Sequence, residues 1–112
     1  MIQGIVKFLL NGAAILIAAY LIPNVVVESY LVSLVVAVIL ALLNILVKPI
    51  LIILSLPINI LTLGLFTLVI DTLIVLLAVE VVPGFEIDSF WTGFLFAIVL
   101  SLVSFVLHKI II

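Results

Sequence analysis

Long apolar blocks separated by short polar links run through the whole of this chain. The blocks cover residues 4–22, 31–47, 63–82 and 92–107. Each one approaches the roughly 20 apolar residues that a helix needs to cross a bilayer. The first three blocks end near Pro23, Pro49 and Pro83, where a helix is expected to stop or kink. The pattern therefore predicts an all-α integral membrane protein with four transmembrane helices.

Composition supports a membrane protein and excludes several other classes. The chain is 71% hydrophobic and 7% charged, and a soluble domain of 112 residues cannot bury that much apolar surface. We therefore expect a single transmembrane domain over residues 1–112 that is surrounded by lipid. The net charge of −2 and the lack of a basic patch argue against nucleic acid as a partner. With no cysteine and one histidine, the chain predicts no metal site and no cofactor.

The two halves of the chain resemble each other when one is shifted by sixty residues. The polar matches are Asn11 with Asp71, Asn44 with Ser104, Lys48 with His108, and Glu28-Ser29-Tyr30 with Asp88-Ser89-Phe90. Pro23 also matches Pro83, and such matches are rarer by chance than matches between leucines. We predict two tandem helical hairpins, with repeat one at 4–48, a connector at 49–62 and repeat two at 63–109. The N-terminal block superficially suits a signal peptide, but its later copy indicates a retained span.

Charge placement predicts the orientation of these hairpins. Lys7, Lys48 and Lys109 fall at one set of helix ends, and the acidic residues of the two links fall at the other. Because positive residues favour the cytoplasmic side, the N- and C-termini are expected to be cytoplasmic. The hairpins then share one orientation, related by a pseudo-twofold axis along the membrane normal.

Three aromatic residues lie in or beside the two links between the helices of each hairpin. They are Tyr30, Phe90 and Trp91. Amphipathic rings are favoured at membrane–water interfaces, and both links are predicted on the outside. We therefore expect these three side chains at the outer interface.

The connector has to begin and end on the same side of the membrane. As a helix it would be about 21 Å long, too short to cross comfortably, and it is too apolar for a solvated loop. We predict a re-entrant or interfacial helix that Pro49 starts and Pro57 breaks. The alternative is that the segment continues its neighbours as two long kinked helices. Asn59 either lines a constriction there or satisfies backbone groups that Pro57 frees.

Asp71 is the polar residue with the strongest functional implication. It lies about two turns into the third block, where a lone carboxylate costs on the order of 2.5–3.5 kcal/mol. The repeat places Asn11 at the same depth, while Asn44 and Ser104 approach from the second and fourth spans nearer the inner face. The four predict a polar cluster in the inner half of the bundle, with Lys48 and His108 at its rim and Lys48 reaching toward the headgroups. The cluster is either an ion or proton pathway or a set of interhelical hydrogen bonds.

The chain shows no pattern that indicates catalysis. No serine has a base at a suitable spacing, and the sequence contains no glycine-rich phosphate loop. We therefore predict that the protein is not an enzyme.

Nearly the whole chain resembles a known bacterial family. The segments NILVKP at 44–49, LP at 56–57, LTLGLF at 61–66, and PGF with FW at 83–85 and 90–91 are similar to the four-span phage holin family, superfamily IV type. Holins accumulate in the bacterial inner membrane, form homo-oligomers and open lesions that release a muralytic enzyme. The family commonly has arginine where this chain has Lys48, and asparagine where it has Asp71.

Two functions follow from these observations, and both stay open at the level of sequence. The first is a holin-like homo-oligomer of the cytoplasmic membrane that permeabilises it, as the resemblance implies. The second is a non-lytic protein. This would be either an envelope scaffold bound to other envelope proteins, or a small ion or solute channel or transporter that uses the cluster around Asp71.

Overall fold

The computed structural model describes residues 2–111, and helices make up most of that range. Six helices and two short strands follow in the order α1 (Ile2–Leu21), β1 (Val25–Val27), α2 (Tyr30–Leu46), α3 (Lys48–Leu54), α4 (Leu56–Leu61), α5 (Phe66–Val81), β2 (Phe85–Ile87) and α6 (Phe90–Ile111). Most of the large side chains on the outside are apolar. The molecule is thus helical and apolar at its surface, as a membrane protein must be.

The long helices differ in whether they can cross a bilayer alone. By length and composition α1 and α6, with 20 and 22 residues, qualify as spans. At 17 and 16 residues, α2 and α5 reach only about 26 and 24 Å, against roughly 30 Å of hydrocarbon. α2 and α3 qualify together as one span bent by 40°. Two or three spans thus meet the length test, and the four-span arrangement stays a prediction.

A serine begins the second helix of each predicted hairpin. Ser29 accepts a hydrogen bond from the backbone N–H of Val32 at 3.2 Å, which caps α2. Ser89 accepts one from the N–H of Thr92 at 3.3 Å, at the start of α6. A serine in this position satisfies one of the backbone donors that a helix start leaves free. The matching serines of the two links therefore have the same local role.

The two links pair with each other as an antiparallel ribbon. Val26 lies opposite Glu86, and the flanking pairs are Val25 with Ile87 and Val27 with Phe85. The backbone N–H of Glu28 extends the ribbon by donating to the carbonyl of Gly84 at 3.0 Å. Both links therefore lie together at one end of the molecule, while their side of the membrane stays a prediction.

The core lies between the long helices and against this ribbon. Alanines, Val36 and two aromatic residues occupy its centre, and the rings of Phe85 and Phe96 are 5.7 Å apart. Burial is the same at many positions that differ by sixty, namely Ala18 and Ala78, Ile22 and Val82, Val25 and Phe85, Val36 and Phe96, and Ala37 and Ala97. Small residues at these positions let the helices approach closely.

The connector differs in two details from its sequence-based description. α3 begins at Lys48, one residue before Pro49, and the break falls at Ser55, two residues before Pro57. A proline ring clashes with the carbonyl four residues earlier, so the helix is interrupted upstream of Pro57. Backbone bonds around Val47 link α2 to α3 across the bend. α3 is thus joined to α2 across a 40° bend, a turn separates α4 from α5, and the re-entrant or interfacial character of the connector stays a prediction.

The third apolar block was predicted to begin at residue 63, but its helix, α5, begins later. Leu63 and Gly64 have positive φ angles of 57° and 89°, and α5 begins only at Phe66. The N–H of Gly64 donates to the carbonyl of Asn59, and that of Leu63 to the carbonyl of Ile60, which is the Schellman pattern at a helix end. An apolar sequence conceals this turn because Leu63 occupies the position that glycine usually fills.

The last helix is longer than predicted at both ends. It begins at Phe90 rather than at residue 92, and it continues past residue 107 through His108 and Lys109 to Ile111. Basic residues in the last turn interact favourably with the negative end of the helix dipole.

Candidate functional site

An ion pair joins the start of α3 to the first half of α5. The Nζ atom of Lys48 lies 2.6 Å from Oδ1 of Asp71, and each side chain is about a quarter exposed, at 27% and 26%. Lys48 is the first residue after the bend at Val47. It was expected to reach the headgroups, and the structure gives it a carboxylate partner instead. Pairing is favourable here because an isolated carboxylate among apolar helices is costly.

A second polar pair occupies the corresponding position in the other half of the chain. Nε2 of His108 lies 3.1 Å from Oδ1 of Asn11. Since an amide oxygen only accepts hydrogen bonds, this contact is a hydrogen bond in the histidine tautomer that has its proton on Nε2. Asn11 and His108 differ by sixty from Asp71 and Lys48 respectively. The two halves are thus joined by two polar contacts that are related by the repeat, Lys48 with Asp71 and His108 with Asn11.

Two adjoining cavities form a single cleft between α1, α2, α5 and α6. The larger cavity has a volume of about 370 Å³ and is lined by Asn11, Ile15, Ala37, Leu40, Ala41, Asn44, Leu100, Ser101 and Ser104. The smaller has about 160 Å³ and is lined by Leu40, Asn44, Lys48, Asp71, Ile74, Val75, Ala97, Leu100 and Ser101. Because four residues line both cavities, we treat them as one polar cleft.

Helical periodicity explains which side chains face this cleft. Ala37, Leu40 and Asn44 of α2 are spaced by three and four residues, so they lie on one helix face. Val36 lies next to Ala37 and one turn before Leu40, and it is fully buried, as is Ser33 one turn before Ala37. The counterpart of Val36 on α6, Phe96, is also fully buried. Fully buried core side chains therefore lie beside the cleft, and the Lys48–Asp71 pair lines its smaller part.

The structure brings together the four residues that were predicted to form a polar cluster. Asn11, Asn44 and Ser104 line the larger cavity, and Asn44 also lines the smaller one together with Asp71.

The connector residues lie outside the cleft. Nδ2 of Asn59 donates to Oγ of Ser55 at 2.8 Å, and its Oδ1 accepts from Oγ1 of Thr67 at 3.2 Å. These bonds tie α4 to α5 and occupy both ends of the amide. Both partners are side-chain hydroxyls rather than backbone groups that Pro57 frees, and Asn59 lines neither part of the cleft. Pro49 and Pro57 act only on the backbone, at the first turns of α3 and α4.

The three predicted interface aromatics occupy two separate places. Phe90 and Trp91 cluster with Phe94 at the start of α6, with ring centroids 5.6 to 6.5 Å apart. The hydroxyl of Tyr30 instead donates to the backbone carbonyl of Leu9 at 2.8 Å, in the first half of α1. The Tyr30 hydroxyl is thus bound to protein, and the interfacial location of all three stays a prediction.

Ser101 is a cleft residue that the sequence did not single out. It lines both cavities, and its hydroxyl donates to the carbonyl of Ala97 at 2.9 Å, which leaves its oxygen free to accept. Its spacing from Ala97 and Ser104 on α6 was the available signal.

The cleft is lined by both polar and apolar side chains. It offers one positive and one negative side chain, amides and hydroxyls, all within a few turns of one another. Among residues 2–111, no group of three or more His, Asp or Glu side chains is placed to hold a metal ion. The arrangement is suited to water and small polar solutes rather than to covalent chemistry.

Comparison with known proteins identifies the family. A family model described as mycobacterial 4 TMS phage holin, superfamily IV, matches residues 2–106. An uncharacterized protein of Streptomyces coelicolor is 38% identical over 93% of this chain and 91% of its own length. The uncharacterized membrane protein YvlD of Bacillus subtilis is 30% identical over 97% and 92%. No solved structure matches. The chain therefore belongs to the phage holin family of superfamily IV, as its sequence segments indicated.

Proposed function

We propose that this membrane protein permeabilises the bilayer to ions or small polar solutes, and that the polar cleft is part of the route. The observation that supports this most directly is the concentration of polar side chains inside an otherwise apolar bundle. Asn11, Asn44 and Ser101 are exposed within the cleft although their helices are apolar. Polar groups at membrane depth are costly unless they meet protein or water, and they commonly mark solute pathways.

Apolar core side chains border the cleft in this conformation. Val36 and Phe96 are fully buried next to cleft-lining positions, and Phe85 packs against Phe96. An apolar constriction of this kind blocks ions because water does not wet it. Permeation would therefore require the helices to separate around these side chains.

Membership of the phage holin family favours a homo-oligomeric, membrane-permeabilising protein of the bacterial cytoplasmic membrane. In this proposal the two halves are duplicated hairpins with parallel orientation, and the connector is a re-entrant or interfacial segment. The cleft would open toward the cytoplasm, because Lys7, Lys48 and Lys109 all lie near that end of the molecule. Large lesions would then arise between copies, and the cleft would supply a smaller route within each copy.

The direct test is flux through liposomes that contain the purified full chain. We expect release of a small trapped ion, and a severalfold slower release for Asn44→Leu, which removes an amide from both parts of the cleft. The matched control is Leu42→Ile, which changes an exposed α2 position that does not line the cleft. Asn24→Leu would not serve, because Asn24 has a φ angle of 69° that a leucine disfavours. Flux at the level of empty liposomes would contradict the proposal.

Expression in a bacterial host separates a lytic role from a non-lytic one. A holin-like activity predicts collapse of the membrane potential once the protein accumulates. Normal potential and growth at high membrane abundance, together with flux in liposomes, would favour a regulated channel. Normal growth with no flux in liposomes would favour the scaffold.

A further inference from the structure

Basic side chains gather at one end of the cleft. They are Lys7 on α1, Lys48 at the start of α3, and His108 with Lys109 in the last turn of α6. Within residues 2–111, the one ion pair joins Lys48 to Asp71. The positive charge of Lys48 is therefore compensated locally, and Lys7 and Lys109 have no carboxylate partner in that part of the chain.

The packing of α1 against α6 places Lys7 beside the end of α6. Asn11 and Ser104 line the same cleft, and Asn11 is hydrogen-bonded to His108, one turn after Ser104. Lys7 lies one turn before Asn11 on α1, on the same helix face. The two helices run antiparallel here, so Lys7 lies about one turn beyond His108, at the end of α6 that also carries Lys109, whose Nζ is 5.7 Å from the ring centroid of Phe105. We call Lys7, His108 and Lys109 the basic patch.

The two halves of the molecule differ at this end. In the second half, Thr67 takes the position that corresponds to Lys7, and it donates to Asn59 of the connector. The connector therefore covers the beginning of α5. No described segment covers the beginning of α1 in the same way: Lys7 is exposed, and a Cβ atom added at Gly4 would meet nothing within 4 Å. The basic patch is thus accessible from outside.

We propose that the basic patch binds the phosphate-bearing headgroup of an anionic phospholipid. The lysines supply positive charge to a phosphate, and exposed apolar side chains such as Ile5 and Ile110 lie next to them for the acyl chains. This combination of basic and apolar surface fits a lipid better than a soluble anion. The site is distinct from the proposed permeation route, because it lies outside the cleft and is measured by binding alone.

The test is a titration of the purified full chain in uncharged detergent with short-chain phosphatidylglycerol, followed by calorimetry. Phosphatidylcholine of the same chain length and inorganic phosphate are titrated in parallel. We expect phosphatidylglycerol to bind at least tenfold more tightly than either. Equal binding of phosphatidylcholine would overturn the proposal. Binding of inorganic phosphate as tight as that of phosphatidylglycerol would assign the patch to a soluble anion, and would overturn it too.

Variants distinguish the site from a general effect of charge. The double variant K7Q/K109Q should weaken binding of phosphatidylglycerol at least tenfold, and K7R/K109R should retain it. Adding Glu86→Lys at the opposite end to the glutamine variant restores the original net charge without restoring the patch. We expect this triple variant to stay weak. Recovery of binding in the triple variant, or unchanged binding in K7Q/K109Q, would refute the site.

Discussion

Lys48 and Asp71 connect the bend after α2 with the first half of α5 through an ion pair of 2.6 Å. His108 and Asn11 make the corresponding contact between α6 and α1 at 3.1 Å. Each contact joins the first half of the chain to the second, and one is an ion pair while the other is a contact between histidine and an amide. The two sides of the cleft mouth are therefore held by contacts of different strength, since hydrogen bonds between charged groups are the stronger kind.

Loss of Lys48 should destabilise the protein more than loss of the Asp71 charge. Lys48→Gln leaves a carboxylate without a counter-charge, whereas Asp71→Asn leaves an amide that can still accept from the lysine. We expect roughly 1–3 kcal/mol for Lys48→Gln and less for Asp71→Asn, measured as the free energy of unfolding in mixed micelles.

The double variant K48Q/D71N is the internal control for this pair. If the ion pair is stabilising, the loss in the double variant will be smaller than the sum of the two single losses. Additive losses would show that the two side chains are neighbours without energetic coupling.

Val36→Thr should increase ion flux if the buried face beside the cleft is the closed part of the route. The substitution keeps the branched shape and adds a hydroxyl at a position that is fully buried. It is expected to cost roughly 1 kcal/mol of stability and to favour entry of water. Liposome flux is the measurement, and a severalfold increase is expected.

Val35→Thr is the matched control for that experiment, because Val35 is the preceding residue of α2 and is 43% exposed. Its flux should equal that of the unmodified protein. Equal flux for all three proteins would contradict an apolar block at Val36.

Two glycines of α1 should respond to alanine in opposite directions. A Cβ atom at Gly12 would lie 2.6 Å from Cδ2 of Leu34 and 3.3 Å from Cε1 of Tyr30. Tyr30 cannot easily withdraw, since its hydroxyl is bound to the carbonyl of Leu9. We expect Gly12→Ala to lose about 1–2 kcal/mol of unfolding free energy by overpacking the crossing of α1 and α2.

Gly4→Ala serves as the comparison in the same helix. Open space surrounds its Cβ position, and alanine is the better helix former, so a gain of about 0.5 kcal/mol is expected. Equal effects of the two substitutions in the unfolding assay would mean that α1 and α2 do not cross closely at Gly12.

Leu63→Gly should stabilise the turn between α4 and α5. Leu63 is 94% exposed and has a φ angle of 57°, a conformation that costs a leucine about 1 kcal/mol but a glycine almost nothing. The expected gain is about 0.5–1 kcal/mol in the unfolding assay.

The control for that turn is Leu61→Gly, because Leu61 is 84% exposed but lies in α4. It should lose a similar amount, since glycine weakens a helix. Loss of stability in both variants would show that the leucine side chains, and not the backbone conformation, determine the effect.

Local residue signals predicted where α1 and α5 end, and further ones are present where α2 and α6 begin. Pro23 and Pro83 follow the ends of α1 and α5 within two residues, and Ser29 and Ser89 directly precede α2 and α6. These residue types act through the backbone of their own neighbours, so their effect is readable from the sequence. The turn at Leu63 escaped because its residue type does not reveal its conformation.

Contacts between distant parts of the chain were predictable only in outline. The repeat indicated that Asn11, Asn44, Asp71 and Ser104 would gather, and they line adjoining parts of one cleft. It did not indicate that Lys48 would bind Asp71, because that contact depends on the 40° bend between α2 and α3. The pairing between the two links was not predictable for a similar reason, because a run of three β-favouring residues does not show which segment it pairs with.

The ribbon between the two links has a consequence for biogenesis. During synthesis Val25–Val27 emerges long before Phe85–Ile87. The first strand therefore has no strand to pair with until the ribosome has made most of the polypeptide. Closing so wide a loop is entropically unfavourable and happens late. The first hairpin must therefore persist in the lipid with an open strand edge, and a nascent chain that stops before Phe85 would leave that edge available to other molecules.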